Sequence, residues 1–172
     1  MIILCDSREN MRVGRDSGLL HFEHEAIEYE QVTALPFGDY WCVYKDGTVS
    51  PFIFERKAIG DFFSSFSNGY KNERKKLDKF FENDYGINQY IVIIEGSISD
   101  ILKGYKYSHK NGRDLIRTML TWWNKYKVIT LFMKRHEIEF FIPELFSSYG
   151  KMKTKEKLKK KGKNVKKIET KQ

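Results

Sequence analysis

The chain has 172 residues, of which 41% are hydrophobic and 31% charged, and its formal net charge at pH 7 is +8. No apolar run approaches the roughly 20 residues of a membrane span, and two cysteines are too few for a disulfide framework. These features argue against a membrane-spanning protein and a disulfide-stabilised secreted domain. They indicate one α/β domain, expected over residues 1–150, in which helices flank a mixed sheet.

The first predicted element is a buried strand over residues 1–5, Met-Ile-Ile-Leu-Cys, which is followed at once by a charged cluster. The cluster is Asp6-Ser7-Arg8-Glu9. Taken alone, it is more typical of a helix cap or a turn than of a functional site, because Asp and Ser favour such positions.

A hairpin is predicted next. Two runs of aromatic and β-branched residues, 40–44 and 52–54, are separated by the turn-forming residues 45–48, Lys-Asp-Gly-Thr. Antiparallel pairing of the two runs returns Glu55, which follows the second strand, to the end of the sheet where Asp39 precedes the first. The two carboxylates are therefore expected to lie close together.

The residues after the second strand combine an acid with an amine. Because side chains alternate along a strand, Glu55 and Lys57 should project from one face and Arg56 from the other. Asp39 and Glu55 could then share Mg²⁺ or Mn²⁺, which a protein often holds with only one or two carboxylates. Lys57 could orient or deprotonate an attacking water, and Asp61 could hold Lys57 or Arg56 in place.

A Glu-Arg-Lys triplet alone is more often a solvated strand end than a site, since charged residues are mostly exposed. Here, however, apolar runs directly precede both Gly38-Asp39 and Glu55. Charged residues at the ends of buried strands are typical of α/β sites. The spacing therefore favours a nuclease that uses divalent metal ions.

A helix with a basic face is predicted over residues 68–84. Lys71, Lys75 and Lys79 recur every four residues, with Arg74 beside them. Such a face could follow the backbone of DNA, but an ordinary solvated helix face would explain the pattern equally well.

The remaining elements are interpreted as scaffold. An apolar strand ends in Glu95-Gly96, a dense apolar helix and a further strand follow, and the next helical region contains Pro143, which could begin a second helix there. The expected ranges of these elements are 89–94, 113–126, 127–133 and 135–149.

A lysine-rich tail covers residues 151–172. It has eleven lysines and two glutamates, a net charge of +9, so residues 1–150 carry about −1. We expect the tail to be disordered because it has few apolar residues to bury. Its lysines, among them Lys159, Lys160 and Lys161, would bind nucleic-acid phosphates without sequence preference. The alternatives are a solubility tail, a nuclear-address-like run and contact with another polyanion.

In their order along the chain, these motifs resemble the nuclease domain shared by XPF, Mus81 and archaeal Hef, the ERCC4 domain, over roughly residues 1–149. The motifs are Asp6-Ser7-Arg8-Glu9, Gly38-Asp39-Tyr40, Phe54-Glu55-Arg56-Lys57 with Asp61, and the apolar strand that ends in Glu95-Gly96. The resemblance implies a restriction-endonuclease-like fold. It also implies a metal-dependent endonuclease that cuts DNA near branches, flaps or junctions during repair, recombination or replication.

The resemblance further implies a role for each charged residue. Asp39 and Glu55 would bind the metal, with Glu9 as a further acidic contributor. Arg56 would offer its backbone carbonyl to the metal or its side chain to a phosphate, and Lys57 would serve the water. The other charged residues of the motifs would support these: Asp6, Arg8 and Asp61.

The chain departs from the family pattern at Asn68-Gly69-Tyr70, where relatives tend to carry Asp-Gly-Arg and a downstream Gln. The sequence also lacks the helix-hairpin-helix motifs that bind DNA in larger relatives. A less selective nickase or restriction-like DNase, or a catalytically silent DNA-binding module, therefore remains as an alternative. The resemblance makes a homodimer plausible, and we expect an intracellular location: the cytoplasm of a bacterial or phage-infected cell, or the nucleus in a eukaryote.

Overall fold

Strands form where β-branched and aromatic residues are concentrated. The computed structural model describes residues 1–11, 20–67, 70–82 and 85–169, and within these ranges six strands make one mixed sheet. Its spatial order is β2-β1-β3-β4-β5-β6. The strands are β1 (Ile2–Asp6), β2 (Tyr29–Thr33), β3 (Tyr40–Val43), β4 (Phe52–Ala58), β5 (Gln89–Glu95) and β6 (Ile129–Met133).

The sheet combines antiparallel and parallel pairing. Strand β1 is parallel to β2 and antiparallel to β3, whereas β4, β5 and β6 are all parallel to one another. Between them, β3 and β4 form the expected antiparallel hairpin, in which Tyr40 pairs with Phe54. This hairpin brings the start of β3 and the end of β4 to the same edge of the sheet.

Helices cover both faces of the sheet. They are α1 (Ile59–Ser67), α2 (Tyr70–Glu82), α3 (Ile98–Lys103), α4 (Gly112–Tyr126) and α5 (Arg135–Glu169), and a short 3-10 helix (Ser7–Met11) follows β1. Side chains alternate between the two faces along β4, so this strand contributes residues to two hydrophobic cores. Ile53 packs in one with residues of α1, α2 and α4, and Phe54 packs in the other with residues of α5. The predicted mixed α/β sheet flanked by helices is confirmed.

The last helix differs from expectation in two ways. Pro143 lies inside α5 and does not begin a second helix. The segment expected to be disordered after residue 150 continues α5 to Glu169. Lysine and glutamate are good helix formers, and the extension is tied to the β3–β4 turn, where Lys157 contacts Asp46 at 2.5 Å and Lys153 contacts Thr48 at 2.6 Å. The domain boundary at residue 150 stays a prediction.

Across the described ranges, the structure has no helix of the length and apolar character that crossing a membrane requires.

Candidate active site

The candidate site is built at the edge of the sheet where β3 begins and β4 ends. Gly38 has a φ of +66°, and a Cβ there would lie 2.9 Å from the Phe54 carbonyl oxygen. The Asp39 N–H donates to the same carbonyl at 2.7 Å, and the Asp6 N–H donates to the Asp39 carbonyl at 2.8 Å. Only glycine fits this close approach without strain, so the Gly-Asp pair fixes Asp39 between β1 and β4.

The hairpin brings the acids and the lysine of the motif together as predicted. The Asp39 carboxylate accepts a 2.7 Å hydrogen bond from the backbone N–H of Arg56, the residue that separates Glu55 from Lys57. Glu55 and Lys57 project from the same face of β4, and their side chains form an ion pair of 3.3 Å. All three of these charged side chains are buried: Asp39, Glu55 and Lys57.

Glu55 is held by groups from three elements. One of its oxygens, Oε2, accepts a hydrogen bond from the hydroxyl of Tyr90 on β5 at 2.8 Å and contacts the ammonium of Lys76 on α2 at 2.7 Å. The other oxygen faces Lys57. The carboxylate is therefore oriented before any ligand arrives.

Lys57 is likewise fixed by several partners. In addition to Glu55, its ammonium contacts Glu73 on α2 at 3.1 Å and the hydroxyl of Ser65 on α1 at 3.4 Å. The side chain is 9% exposed. Helix α2 thus contributes directly to the site through Glu73.

Burial and neighbouring charges shift the pKa values of Asp39 and Glu55 in opposite directions. Burial, together with the negative charges of Glu55 and Glu9, raises the pKa of Asp39 well above its usual range. Burial also raises the pKa of Glu55, but the ammonium groups of Lys76 and Lys57 outweigh it and lower that pKa overall. The site therefore keeps one ionised carboxylate beside another that resists ionisation.

The same competition acts on Lys57. Burial lowers its pKa, but the carboxylates of Glu55 and Glu73 outweigh burial and raise it above its usual value. In this arrangement Lys57 is a cationic hydrogen-bond donor.

A second charged cluster lies on the opposite face of β4. Arg56 is 2% exposed, and its Nε donates to Glu95 at 2.8 Å. Its Nη2 also pairs with Glu95, and its Nη1 pairs with Glu9 at 3.3 Å. Glu9 also accepts a 3.3 Å hydrogen bond from Tyr40. Two carboxylates therefore hold the Arg56 side chain inside the protein, and a contact between Arg56 and a DNA phosphate stays a prediction.

The role of Glu9 as a further acidic contributor to the metal site stays a prediction. Glu9 lies near enough for its charge to raise the pKa of Asp39, but its carboxylate is engaged with Arg56 and Tyr40. Among the described residues, no group of three His, Cys, Asp or Glu side chains could hold a metal ion. The predicted ligands that lie beside Lys57 are Asp39 and Glu55.

The three residues predicted to support the site are Asp6, Arg8 and Asp61, and the first two form an ion pair. Buried Asp6 accepts hydrogen bonds from the Arg8 side chain, at 2.6 and 2.7 Å, and from the Leu35 N–H at 2.9 Å, so this ion pair fixes the loop that leads to Gly38. Asp61 is exposed in the first turn of α1. The ion pairs described for Lys57 and Arg56 are with Glu55, Glu73, Glu9 and Glu95, and a supporting role for Asp61 stays a prediction.

Five residues in contact with the charged groups of β4 were not assigned to the site from the sequence: Glu73, Lys76, Tyr90, Glu95 and Ser65. A signal existed for the first two, because positions three apart on a helix share a face. Glu73 and Lys76 therefore had to point the same way as Leu77 and Phe80, toward the sheet. The charged pattern of α2 nevertheless suggested solvent.

The predicted DNA-contacting residues of α2 are exposed: Lys71, Arg74, Lys75 and Lys79. Lys159 is exposed on α5, whereas the side chains of Lys160 and Lys161 fall outside the described part of the chain. Lys153 and Lys157 contact the β3–β4 turn. The lysine-rich part of α5 therefore starts near the beginning of β4, whereas Glu55 lies farther along that strand.

Comparisons with known proteins agree with this geometry. A structure of XPF from Aeropyrum pernix matches with a TM-score of 0.51 and 19% sequence identity, over 78% of this chain and 58% of that chain. XPF from Aeropyrum pernix in complex with DNA matches with a TM-score of 0.54 and 19% identity, over 90% of this chain and 65% of that chain. This chain thus spans less than two thirds of the length of either structure.

At this level of identity the likeness establishes a shared fold, which confirms the restriction-endonuclease-like α/β architecture. No curated protein sequence matches the chain. The family model of the ERCC4 domain matches residues 5–141, which contain every charged motif of the site. The chain therefore belongs to the ERCC4 domain family of XPF-type nucleases.

Proposed function

We propose that this protein is a metal-dependent, structure-specific DNA endonuclease that cuts branched DNA such as flaps and junctions. The observation that carries the proposal is the convergence of Asp39, Glu55 and Lys57 at one edge of the sheet, where both acids are buried and individually oriented. Two carboxylates with a lysine beside them are the residue types that hydrolysis of a phosphodiester requires.

The donor set suits Mg²⁺ or Mn²⁺. Both ions prefer carboxylate oxygens, and a magnesium site commonly uses one or two of them, with water and substrate phosphate as the other ligands. The raised pKa of Asp39, caused by burial and by the charge of Glu55, reflects negative charge that a cation would neutralise. Asp39 and Glu55 are therefore the residues that would hold the ion. A bound ion would supply charge neutralisation at the scissile phosphate and a more acidic water.

Lys57 has a role that its surroundings restrict. Its pKa is raised by Glu55 and Glu73 against the effect of burial, so it stays protonated near neutral pH. We infer that it donates hydrogen bonds to the attacking water or to a phosphate oxygen and does not remove a proton. Glu73 and Ser65 hold its ammonium in place for that task.

DNA binding would draw on two basic surfaces. The exposed cations of α2, Lys71, Arg74, Lys75 and Lys79, lie on the helix that also delivers Glu73 and Lys76 to the site. The lysine-rich part of α5, with Lys159 to Lys161, would add affinity that is independent of sequence and falls steeply with salt.

Two alternatives predict different behaviour. A less selective nickase or restriction-like DNase would cut linear and branched DNA alike, and a catalytically silent module would bind DNA without cutting it. The intact pair of buried acids favours an enzyme over a silent module, because a buried carboxylate is costly to keep without a use. A homodimer and an intracellular role in DNA repair, recombination or replication are further parts of the proposal.

The experiment that separates these functions compares end-labelled flap, splayed, four-way and linear DNA at fixed salt in Mg²⁺ or Mn²⁺. The proposal expects the wild type to cut branched substrates and to leave linear duplex largely intact. Equal cleavage of all substrates would favour the nickase or restriction-like enzyme. Binding without cleavage of any substrate would favour the silent module.

A further inference from the structure

Lys76 places a positive charge on one of the two proposed metal ligands. Its Nζ lies 2.7 Å from Oε2 of Glu55, the oxygen that also accepts a hydrogen bond from the hydroxyl of Tyr90. This contact is shorter than the 3.3 Å between Lys57 and the other oxygen of Glu55. An ammonium in this position neutralises the carboxylate in the way that a metal ion would.

The two lysines that contact Glu55 differ in how firmly they are held. Lys57 is 9% exposed and has Glu73 and Ser65 as additional partners. Lys76 is 28% exposed, and its hydrogen bond and ion pair within the described part of the chain are with Glu55. Lys76 can therefore leave the site for water at a smaller cost than Lys57.

The charge of Lys76 also reaches the second ligand. Burial and the charge of Glu55 raise the pKa of Asp39, and Lys76 is among the groups that oppose this rise. Lys76 therefore acts on Asp39 through its charge, whereas its direct contact is with Glu55.

We propose that Lys76 is a displaceable counter-cation, which neutralises the Asp39 and Glu55 pair in the metal-free protein and is expelled into solvent when a divalent cation binds. This inference rests on the proposed function, since it takes the same pair as the metal ligands. A divalent ion and an ammonium repel each other strongly at such short range. Breaking the contact between Lys76 and Glu55 therefore becomes part of the cost of metal binding and sets the metal affinity.

The first test follows the lysine itself in the DNA-free wild type. Acylation of individual lysines by an amine-reactive ester is measured by peptide mass spectrometry, with and without Mn²⁺. Displacement predicts that Lys76 reacts severalfold faster when Mn²⁺ is bound. Lys75, which is exposed on the same helix, serves as the internal control and should not change. An unchanged or slower reaction of Lys76 would overturn the inference.

The second test measures Mn²⁺ binding by calorimetry for the wild type, Lys76→Met and the matched control Lys75→Met. The Lys76→Met variant should bind Mn²⁺ about tenfold more tightly, because no ion pair has to be broken and the repulsion is gone. Lys75→Met should stay within about twofold of the wild type, because its charge is exposed and screened. Circular dichroism checks that each variant is folded, and the acylation test decides the question if Lys76→Met is not.

An Asp39→Asn variant separates failure of this inference from failure of the proposed function. If the wild type binds no Mn²⁺, or binds it as well as Asp39→Asn does, the metal site itself is wrong and the inference falls with it. The other outcome is that Mn²⁺ binding needs Asp39, but Lys76 reacts equally fast with and without Mn²⁺ and Lys76→Met binds Mn²⁺ as the wild type does. In that case only the proposed role of Lys76 is wrong.

Discussion

The backbone N–H of Arg56 donates a 2.7 Å hydrogen bond to Oδ2 of Asp39, while the guanidinium of Arg56 is buried on the opposite face of β4. One residue therefore connects the two faces of the sheet. Glu9 and Glu95 fix its side chain, and through the strand they fix the N–H that orients a proposed metal ligand.

Replacement of Arg56 should lower the stability of the protein and should change its direct contacts with DNA much less. In Arg56→Met, the carboxylates of Glu9 and Glu95 lose their guanidinium, and breaking a buried ion pair in this way typically costs about 3–5 kcal/mol. Urea denaturation would measure the loss. Arg74→Met is the control, because Arg74 is exposed on α2 and its ion pair with Asp78 is as long as 4.0 Å. A variant of Arg56 with native stability and weakened DNA binding would instead support the predicted contact of Arg56 with a phosphate.

Glu73 should act on catalysis through Lys57. In Glu73→Gln the 3.1 Å ion pair is lost, the ammonium is less constrained, and the cleavage rate should fall about 10–100-fold, as expected when a reacting group is misplaced by about 1 Å. The affinity for DNA should change little. Single-turnover cleavage and DNA titration measure the two effects. Glu82→Gln, an exposed position on the same helix, should leave both unchanged; equal effects at the two positions would count against a role for Glu73.

Two glycines with positive φ allow a matched test of the Gly-Asp pair. Gly38 and Gly47 have φ values of +66° and +76°, but only at Gly38 would a Cβ meet backbone, 2.9 Å from the Phe54 carbonyl oxygen. Gly47→Ala should cost about 1–2 kcal/mol for the left-handed conformation alone. Gly38→Ala should cost more, since β4 must also shift. Thermal unfolding of the two variants measures the difference, and equal losses would show that the close approach is unimportant.

Asp6 should contribute to the loss of stability in acid. Burial raises its pKa, but hydrogen bonds from the Arg8 side chain and from the N–H groups of Arg8 and Leu35 outweigh burial and lower it. A lowered folded-state pKa means that the stabilisation is fully present above the unfolded value of about 3.9 and is lost as the pH falls below it.

The Asp6→Asn variant should therefore lose about 1–3 kcal/mol at neutral pH, the typical cost of weakening buried hydrogen bonds. Its unfolding free energy should then depend less on pH below about 4 than that of the wild type. Denaturation at several pH values provides the measurement. Asp61→Asn, at an exposed position, should match the wild type at neutral pH; a comparable loss there would contradict the structural distinction drawn between the two aspartates.

The local part of this site could be predicted from the sequence, whereas the contacts made by tertiary packing could not. The hairpin, the alternation of Glu55, Arg56 and Lys57, and the proximity of Asp39 all follow from strand geometry and were predicted. The partners of Arg56 were not predicted, because Glu9 on the 3-10 helix and Glu95 at the end of β5 are both distant from Arg56 in sequence. Short-range patterns do not report such contacts.

The helices show the same division. The inward face of α2 was assigned from its apolar residues, yet Glu73 and Lys76 share that face and contact the site. The lysine-rich end of the chain was expected to be disordered from composition, whereas the structure continues it as helix from a packed segment of α5. Composition describes a segment in isolation and does not include the helix that precedes it.

We propose that Asp39 and Glu55 bind a divalent metal ion on which the hydrolysis of DNA depends. The most direct test is single-turnover cleavage of a flap duplex by wild type and Asp39→Asn in Mg²⁺, with an EDTA control. The substitution keeps the shape of the side chain and an oxygen that can accept from Arg56, but removes the charge. The account predicts metal-dependent cleavage by the wild type and a loss of about 10³-fold or more in the variant, with DNA binding retained. Equal cleavage by the two proteins, or cleavage that persists in EDTA, would contradict it.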